Sequence, residues 1–181
     1  MIQTLCQPVS EELFARFKKI KLVLSDVDGV LSDGKIYLTE SGDEIKSFNA
    51  KDGAGICSLR RVGVKFGVIT GRKSNLVERR MKSLGVDIVY QGIFDKLAAF
   101  REILQNEGLK AEECLYIGDD VIDLPLLKNA GISVTVKDGH PLVLRAADLI
   151  TISAGGEGAV REVTDLVLQS YGCLDVMEVS G

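Results

Sequence analysis

Apolar runs of strand length alternate with amphipathic segments of helical period along most of this chain, and a parallel sheet wound with helices is the architecture that accommodates that alternation. The spacing predicts strands at Lys21–Ser25, Val64–Thr70, Ile88–Tyr90, Cys114–Ile117 and Ile132–Val136. Between them it predicts helices over Ala54–Val62, Lys73–Leu84, Asp95–Glu107 and Asp120–Asn129. Gly63, Gly85, Gly108 and Gly131 stand at helix ends, where a left-handed residue is commonly required. The expected fold class is α/β, a doubly wound parallel sheet of Rossmann-like form.

Two segments break the alternation. Residues 34–48 carry strand-like Ile36-Tyr37-Leu38 and Glu44–Phe48 around Ser41-Gly42-Asp43, which reads as a β-hairpin flap inserted just after the first strand. Residues 154–181 begin with a glycine-rich stretch, then resume helical periodicity at Ala159–Tyr171, which suggests a mobile elbow before a docked helix. At 181 residues the chain fits one domain, and the spacing leaves no room for a large cap domain.

The formal charge of -4 argues against a nucleic-acid partner, because neutralising a phosphate backbone needs a basic stripe. Cys6, Cys57, Cys114 and Cys173 form no CxxC pair, so zinc and disulfide frameworks are disfavoured and a reducing cytoplasm fits best. No stretch approaches the roughly 20 apolar residues of a membrane span.

In an open α/β sheet, ligands bind outside the carboxyl ends of the strands. Four predicted strands end in polar clusters: Asp26-Val27-Asp28-Gly29, Thr70-Gly71-Arg72, Asp95-Lys96 and Gly118-Asp119-Asp120. This inventory suits phosphoryl transfer. A carboxylate can attack phosphorus only if the negative charge shared by nucleophile and phosphate is offset, and a hard cation such as Mg2+ with carboxylate ligands Asp26 and Asp119 would offset it. Thr70 can donate a hydrogen bond to the phosphoryl group and Lys96 adds a point charge. Asp28 is then available to protonate the leaving alkoxide and later to deprotonate water.

The string DVDGVLSDG, followed by VITGR, the lysine of GIFDK, and GDDVID, resembles the four-motif set of the haloacid dehalogenase superfamily. That resemblance implies Asp26 as nucleophile, Asp28 as acid/base with a metal-binding backbone carbonyl, Thr70 and Lys96 as phosphate stabilisers, and Asp119 as metal ligand. It also implies supporting roles for Asp120, acting through Lys96, and for Asp123. The segments DVDGVLSDGKIY, FNAKDGAGI, TGRKSNLVERR, DGHPLV and GGEGAVREV are similar to the cap-less 3-deoxy-D-manno-octulosonate 8-phosphate phosphatases. Those are cytoplasmic homotetramers on the way to lipopolysaccharide, in which hairpins associate and a neighbour's glycine-rich tail helps close the site. By that resemblance Gly155, Gly156 and Gly158 form a lid over a neighbouring subunit, and Arg72, with Thr70, Gly71 and Lys96, binds substrate. Arg72 favours an eight-carbon sugar acid, whereas relatives acting on nine-carbon acids carry Glu there. Lys51 stands where many members carry Arg, which keeps the charge and loses the bidentate geometry.

Simpler explanations exist for each motif alone. Asp-x-Asp-Gly is often a turn or part of a calcium loop, Thr70-Gly71 an ordinary strand exit, and Gly118-Asp119-Asp120 a helix cap. None accounts for four polar clusters on one sheet edge. His140, beside Pro141, reads as structural. A signalling receiver domain also gathers acids, Thr and Lys around magnesium, but its phosphoacceptor should end the third strand, where Gln91-Gly92 stands.

Overall fold

The computed structural model describes residues 1–174. Six parallel strands form one sheet: β1 (Leu22–Ser25), β4 (Lys65–Thr70), β5 (Ile88–Gln91), β6 (Cys114–Ile117), β7 (Ile132–Thr135) and β8 (Leu149–Ile150), in the order β5-β4-β1-β6-β7-β8. β2 (Tyr37–Leu38) and β3 (Glu44–Ile45) pair antiparallel as the separate hairpin, shorter than the sequence suggested.

Alternate residues of each strand face opposite layers, as a pleated strand demands. Val23, Val68, Leu115, Ile117 and Val134 join one apolar layer, while Leu22, Leu24, Ile69 and Tyr116 join the other. The first layer packs against α1 (Glu11–Phe17), α2 (Ala50–Ser58), α3 (Asn75–Ser83) and α7 (Ala159–Ser170). The second packs against α4 (Lys96–Glu107) and α5 (Leu124–Leu127), with Val143 from α6 (Pro141–Leu144). Helices on both faces confirm the doubly wound reading, and no large cap interrupts it among the described residues. No helix among the described residues is long and apolar enough to cross a membrane.

Several boundaries differ from expectation for local reasons. α2 begins four residues before the expected Ala54, because the Asn49 side chain accepts the Lys51 N–H and caps the helix ahead of Gly53 and Gly55. The helix expected over Asp120–Asn129 divides into a 3₁₀ turn at Val121–Asp123 and the short α5, with Pro125 in the first turn of α5. α1, α6 and β8 were not anticipated; α1 is announced by Ser10, whose side chain accepts the Leu13 N–H.

Gly63, Gly85 and Gly108 adopt the left-handed conformation, whereas Gly131 does not. Gly131 is instead required by close approach, since a Cβ there would lie 2.4 Å from the Glu112 carbonyl oxygen.

Candidate active site

β1, β4 and β6 are adjacent in register, so the residues leaving their carboxyl ends converge: Asp26 after β1, Thr70 at the end of β4, and Gly118-Asp119 after β6. Lys96 opens α4 beyond β5 and reaches across beneath them. Its ammonium lies 2.9 Å from Asp26 Oδ2 and 2.8 Å from Asp123 Oδ1. Burial works against that charge, yet the Asp26 and Asp123 carboxylates outweigh it and hold the Lys96 pKa above its ordinary value.

Asp123 is fully committed. Oδ1 accepts from Lys96 and from the Tyr116 hydroxyl at 2.7 Å, and Oδ2 accepts the Asp119 and Asp120 N–H groups at 3.1 and 3.3 Å. The support expected from Asp120 through Lys96 therefore comes from Asp123. Asp120 caps the 3₁₀ turn, its side chain accepting the Val121 N–H at 2.7 Å. The divergence arises from that turn, which brings residue 123 inward and turns residue 120 to the surface side.

Asp26 is buried; its Oδ1 accepts the Val27 N–H at 2.7 Å. Burial and the nearby Asp123 charge raise its pKa to about 6 against the opposing pull of Lys96. Asp119 is the least compensated group. Burial, followed by the charges of Asp26, Asp123 and Asp120, pushes its pKa to about 8, and its buried Oδ1 has no hydrogen-bond partner among the described residues.

Carboxylate oxygens of Asp26, Asp119 and Asp123 all lie within 4.8 Å of one another. An orphaned buried oxygen among hard, anionic donors is what a magnesium site requires. Because Asp123 is saturated by four hydrogen bonds, Asp26 and Asp119 are the side chains free to serve, and the residues present fit the ion. The Asp28 carboxylate is outside this group.

Gly29 belongs to the same construction. Its φ is +92°, and a Cβ there would lie 2.0 Å from Asp119 Oδ2, so only glycine lets the β1 loop pass this carboxylate. Thr70 is buried, and its hydroxyl accepts the Arg72 N–H at 3.4 Å. Gly71 and Arg72 are exposed beside it.

Two site-facing residues were missed in the sequence. Lys46 of the hairpin pairs with Asp28, and Glu44 pairs with Arg72 at 2.9 Å. The alternation of Glu44 and Lys46 around Ile45 was the available signal, but which face met the site depended on how the hairpin docks.

Gly155 and Gly156 pack on the chain's own β1 loop. The Gly156 N–H donates to the Val30 carbonyl at 2.9 Å, and a Cβ on Gly155 would lie 1.8 Å from the Gly29 carbonyl oxygen. Gly158 precedes α7 with φ +101°. This is the segment expected as a lid over a neighbouring subunit, and within the chain it contacts the β1 loop; the remainder of the expected tail, 175–181, lies outside the described residues. His140 is structural, its ring accepting the Leu142 N–H at 3.2 Å.

Residues 85–163 match the family model described as haloacid dehalogenase-like hydrolase. The chain is 47% identical over 168 residues, 93% of its length and 89% of the relative's, to 3-deoxy-D-manno-octulosonate 8-phosphate phosphatase KdsC of Escherichia coli K12. The crystal structure of the Yersinia pestis 3-deoxy-D-manno-octulosonate 8-phosphate phosphatase superposes with a TM-score of 0.93 at 44% identity, covering 96% of this chain and 94% of that one. The Moraxella catarrhalis enzyme, solved in complex with magnesium ion, phosphate ion and a KDO molecule, superposes with a TM-score of 0.89 at 40% identity, covering 93% and 97%. With this site on this sheet edge and these relatives, the chain belongs to the haloacid dehalogenase-like hydrolases, in the 3-deoxy-D-manno-octulosonate 8-phosphate phosphatase family.

Proposed function

We propose that this chain hydrolyses 3-deoxy-D-manno-octulosonate 8-phosphate to the free sugar acid and inorganic phosphate, a step in forming lipopolysaccharide precursors, through an aspartyl-phosphate on Asp26. The observation that carries the reading is the juxtaposition of Asp26 with Asp119 and Lys96 at the carboxyl ends of the central strands.

A magnesium ion held by the Asp26 and Asp119 carboxylates and the Asp28 backbone carbonyl would supply the positive charge that lets two anions approach. The chain's own residues do the rest. Lys96, fixed by Asp123, orients the Asp26 carboxylate and offsets charge on the transferring group. Asp26 forms a bond to phosphorus as the ester oxygen departs, and Asp28 gives that oxygen its proton. Asp28 next takes a proton from the water that attacks the aspartyl-phosphate, releasing phosphate and restoring Asp26. The buried Thr70 hydroxyl donates to a phosphoryl oxygen. Arg72 receives the sugar-acid carboxylate, for which a guanidinium offers two parallel donors.

We further place the enzyme in the cytoplasm as a homotetramer. In support, the four cysteines are unpaired, and Ile36, Leu38 and Ile45 leave 59%, 68% and 56% of their surface exposed on the hairpin.

The test is phosphate release from the eight-carbon and nine-carbon keto-deoxy sugar phosphates by the wild type and by Asp26→Asn with magnesium. The eight-carbon ester should be strongly preferred and the variant silent. Preference for the nine-carbon ester would move the assignment to that substrate, and full activity of the variant would remove Asp26 as nucleophile.

A further inference from the structure

The hairpin divides its side chains between two faces. Period two along β3 sends Ile45 outward opposite Tyr37, where it is 56% exposed, and sends Glu44 and Lys46 inward. Few apolar contacts hold this two-residue ribbon to the body of the molecule. Charged ones do: Lys46 pairs with Asp28, the two Glu44 oxygens reach Lys46 at 3.5 Å and Arg72 at 2.9 Å, and the Tyr37 hydroxyl donates to Asp33 at 2.6 Å.

The Lys46 side chain is only 3% exposed, an unusual depth for a lysine on an otherwise exposed flap. Such burial is stable only where the ammonium meets carboxylates, and its two partners are Asp28 and Glu44. The resulting chain of alternating charge runs Arg72–Glu44–Lys46–Asp28, from the group assigned to the sugar-acid carboxylate to the group assigned to proton transfer.

Resting on the phosphatase reading above, we infer that the inner face of the hairpin completes the substrate site: Lys46 is a positioning residue for Asp28, and Glu44 is a specificity-determining residue that aims Arg72. Each acts on a different half of the reaction. Among the described residues the Asp28 carboxylate has one other side-chain hydrogen-bond partner, the Ser32 hydroxyl at 3.4 Å, so without Lys46 it has little to fix it toward the ester oxygen. Glu44 engages Arg72 through Nη2 and leaves the rest of the guanidinium fork to a carboxylate on the substrate. An ester without a carboxylate would gain nothing from Glu44.

The experiment compares wild type with Lys46→Met, Lys46→Arg and Glu44→Gln on 3-deoxy-D-manno-octulosonate 8-phosphate. It adds calorimetric binding of that ester to each change in an Asp26→Asn background, with melting temperature and light-scattering mass for every protein. Lys46→Met should lower kcat about 100-fold with KM within about threefold, because what is lost is orientation of a proton donor. Lys46→Arg should restore most of that rate. Glu44→Gln should instead weaken binding and raise KM about tenfold with kcat nearly unchanged, the signature of an unaimed guanidinium.

Wild-type kcat in Lys46→Met would overturn the role of Lys46. So would a loss that Lys46→Arg does not relieve, or one that tracks a fallen melting temperature or mass. Unchanged or tighter binding in Glu44→Gln would overturn the role of Glu44, tighter binding meaning that Glu44 competes with the substrate. An inactive wild type would reject the phosphatase reading and this inference together, whereas an active wild type with fully active variants would reject the inference alone.

Discussion

Asp26, Asp119 and Asp123 are one side chain in three electrostatic situations, and the differences assign their work. Asp123 is saturated by donors and stays a scaffold; Asp26 shares one lysine; Asp119 keeps a buried oxygen with no partner among the described residues. Removing the charge at 119 should therefore relieve repulsion in the metal-free protein while weakening magnesium binding. Asp119→Asn is expected to melt at or above the wild-type temperature in chelator, yet to lose the stabilisation of about 3 kcal/mol that saturating magnesium at a hundredfold over Kd gives wild type. Differential scanning calorimetry with and without magnesium checks it, and an unaltered magnesium response would exclude Asp119 from the metal site. The acids themselves were legible as residues leaving predicted strands. That Lys96 rests on Asp123 rather than Asp120 was not, because it depends on a 3₁₀ turn whose local sequence also reads as ordinary helix.

Among the elements, α7 is positioned by a cap from another helix. Gly158 has no side chain with which to cap it, and Asp52 of α2 accepts the Arg161 N–H at 2.7 Å instead. Burial raises the Asp52 pKa to about 6 despite that bond and the nearby Arg80 and Arg161 charges, and its Oδ2 has no partner among the described residues. An acid whose folded pKa lies above its unfolded one contributes stability below about pH 4 that is lost as pH rises through about 6. Asp52→Asn keeps the accepting oxygen and cannot ionise. Relative to wild type it should gain on the order of 1–3 kcal/mol between about pH 4 and pH 7, read from urea melts at both ends. A difference independent of pH would show that Asp52 is not buried in this way. α7 in turn seats the glycine loop against the β1 loop, so Gly155→Ala should destabilise the fold by about 1–3 kcal/mol and lower phosphate release as Gly29 is displaced. Wild-type melting would remove that coupling. The sequence indicated α7 and a glycine elbow, but the partner of the elbow is a loop more than a hundred residues earlier, which no local pattern encodes.

For the molecule as a whole, the exposed apolar side chains of the hairpin, Tyr37 and Ile45 on one face among them, are surface that a single chain leaves uncovered. Tyr37→Lys combined with Ile45→Lys should shift the light-scattering mass from that of the proposed tetramer toward monomer, since like charges placed opposite each other on a face that association would bury oppose it. A monomeric wild type would dismiss the proposed assembly directly. The sequence by itself determined the wound parallel sheet and the four polar clusters at its edge, because strand and helix periodicities and the residues that terminate them are local properties. It also determined the chemistry those clusters support, which follows from side-chain type. Tertiary structure alone decided which acid holds the lysine, which carboxylate oxygen is left without a partner, and which face of the hairpin meets the site. Those outcomes depend on the strand order β5-β4-β1-β6 and on how loops distant in sequence pack, and contacts of that kind are fixed by the three-dimensional arrangement rather than by any window of neighbouring residues.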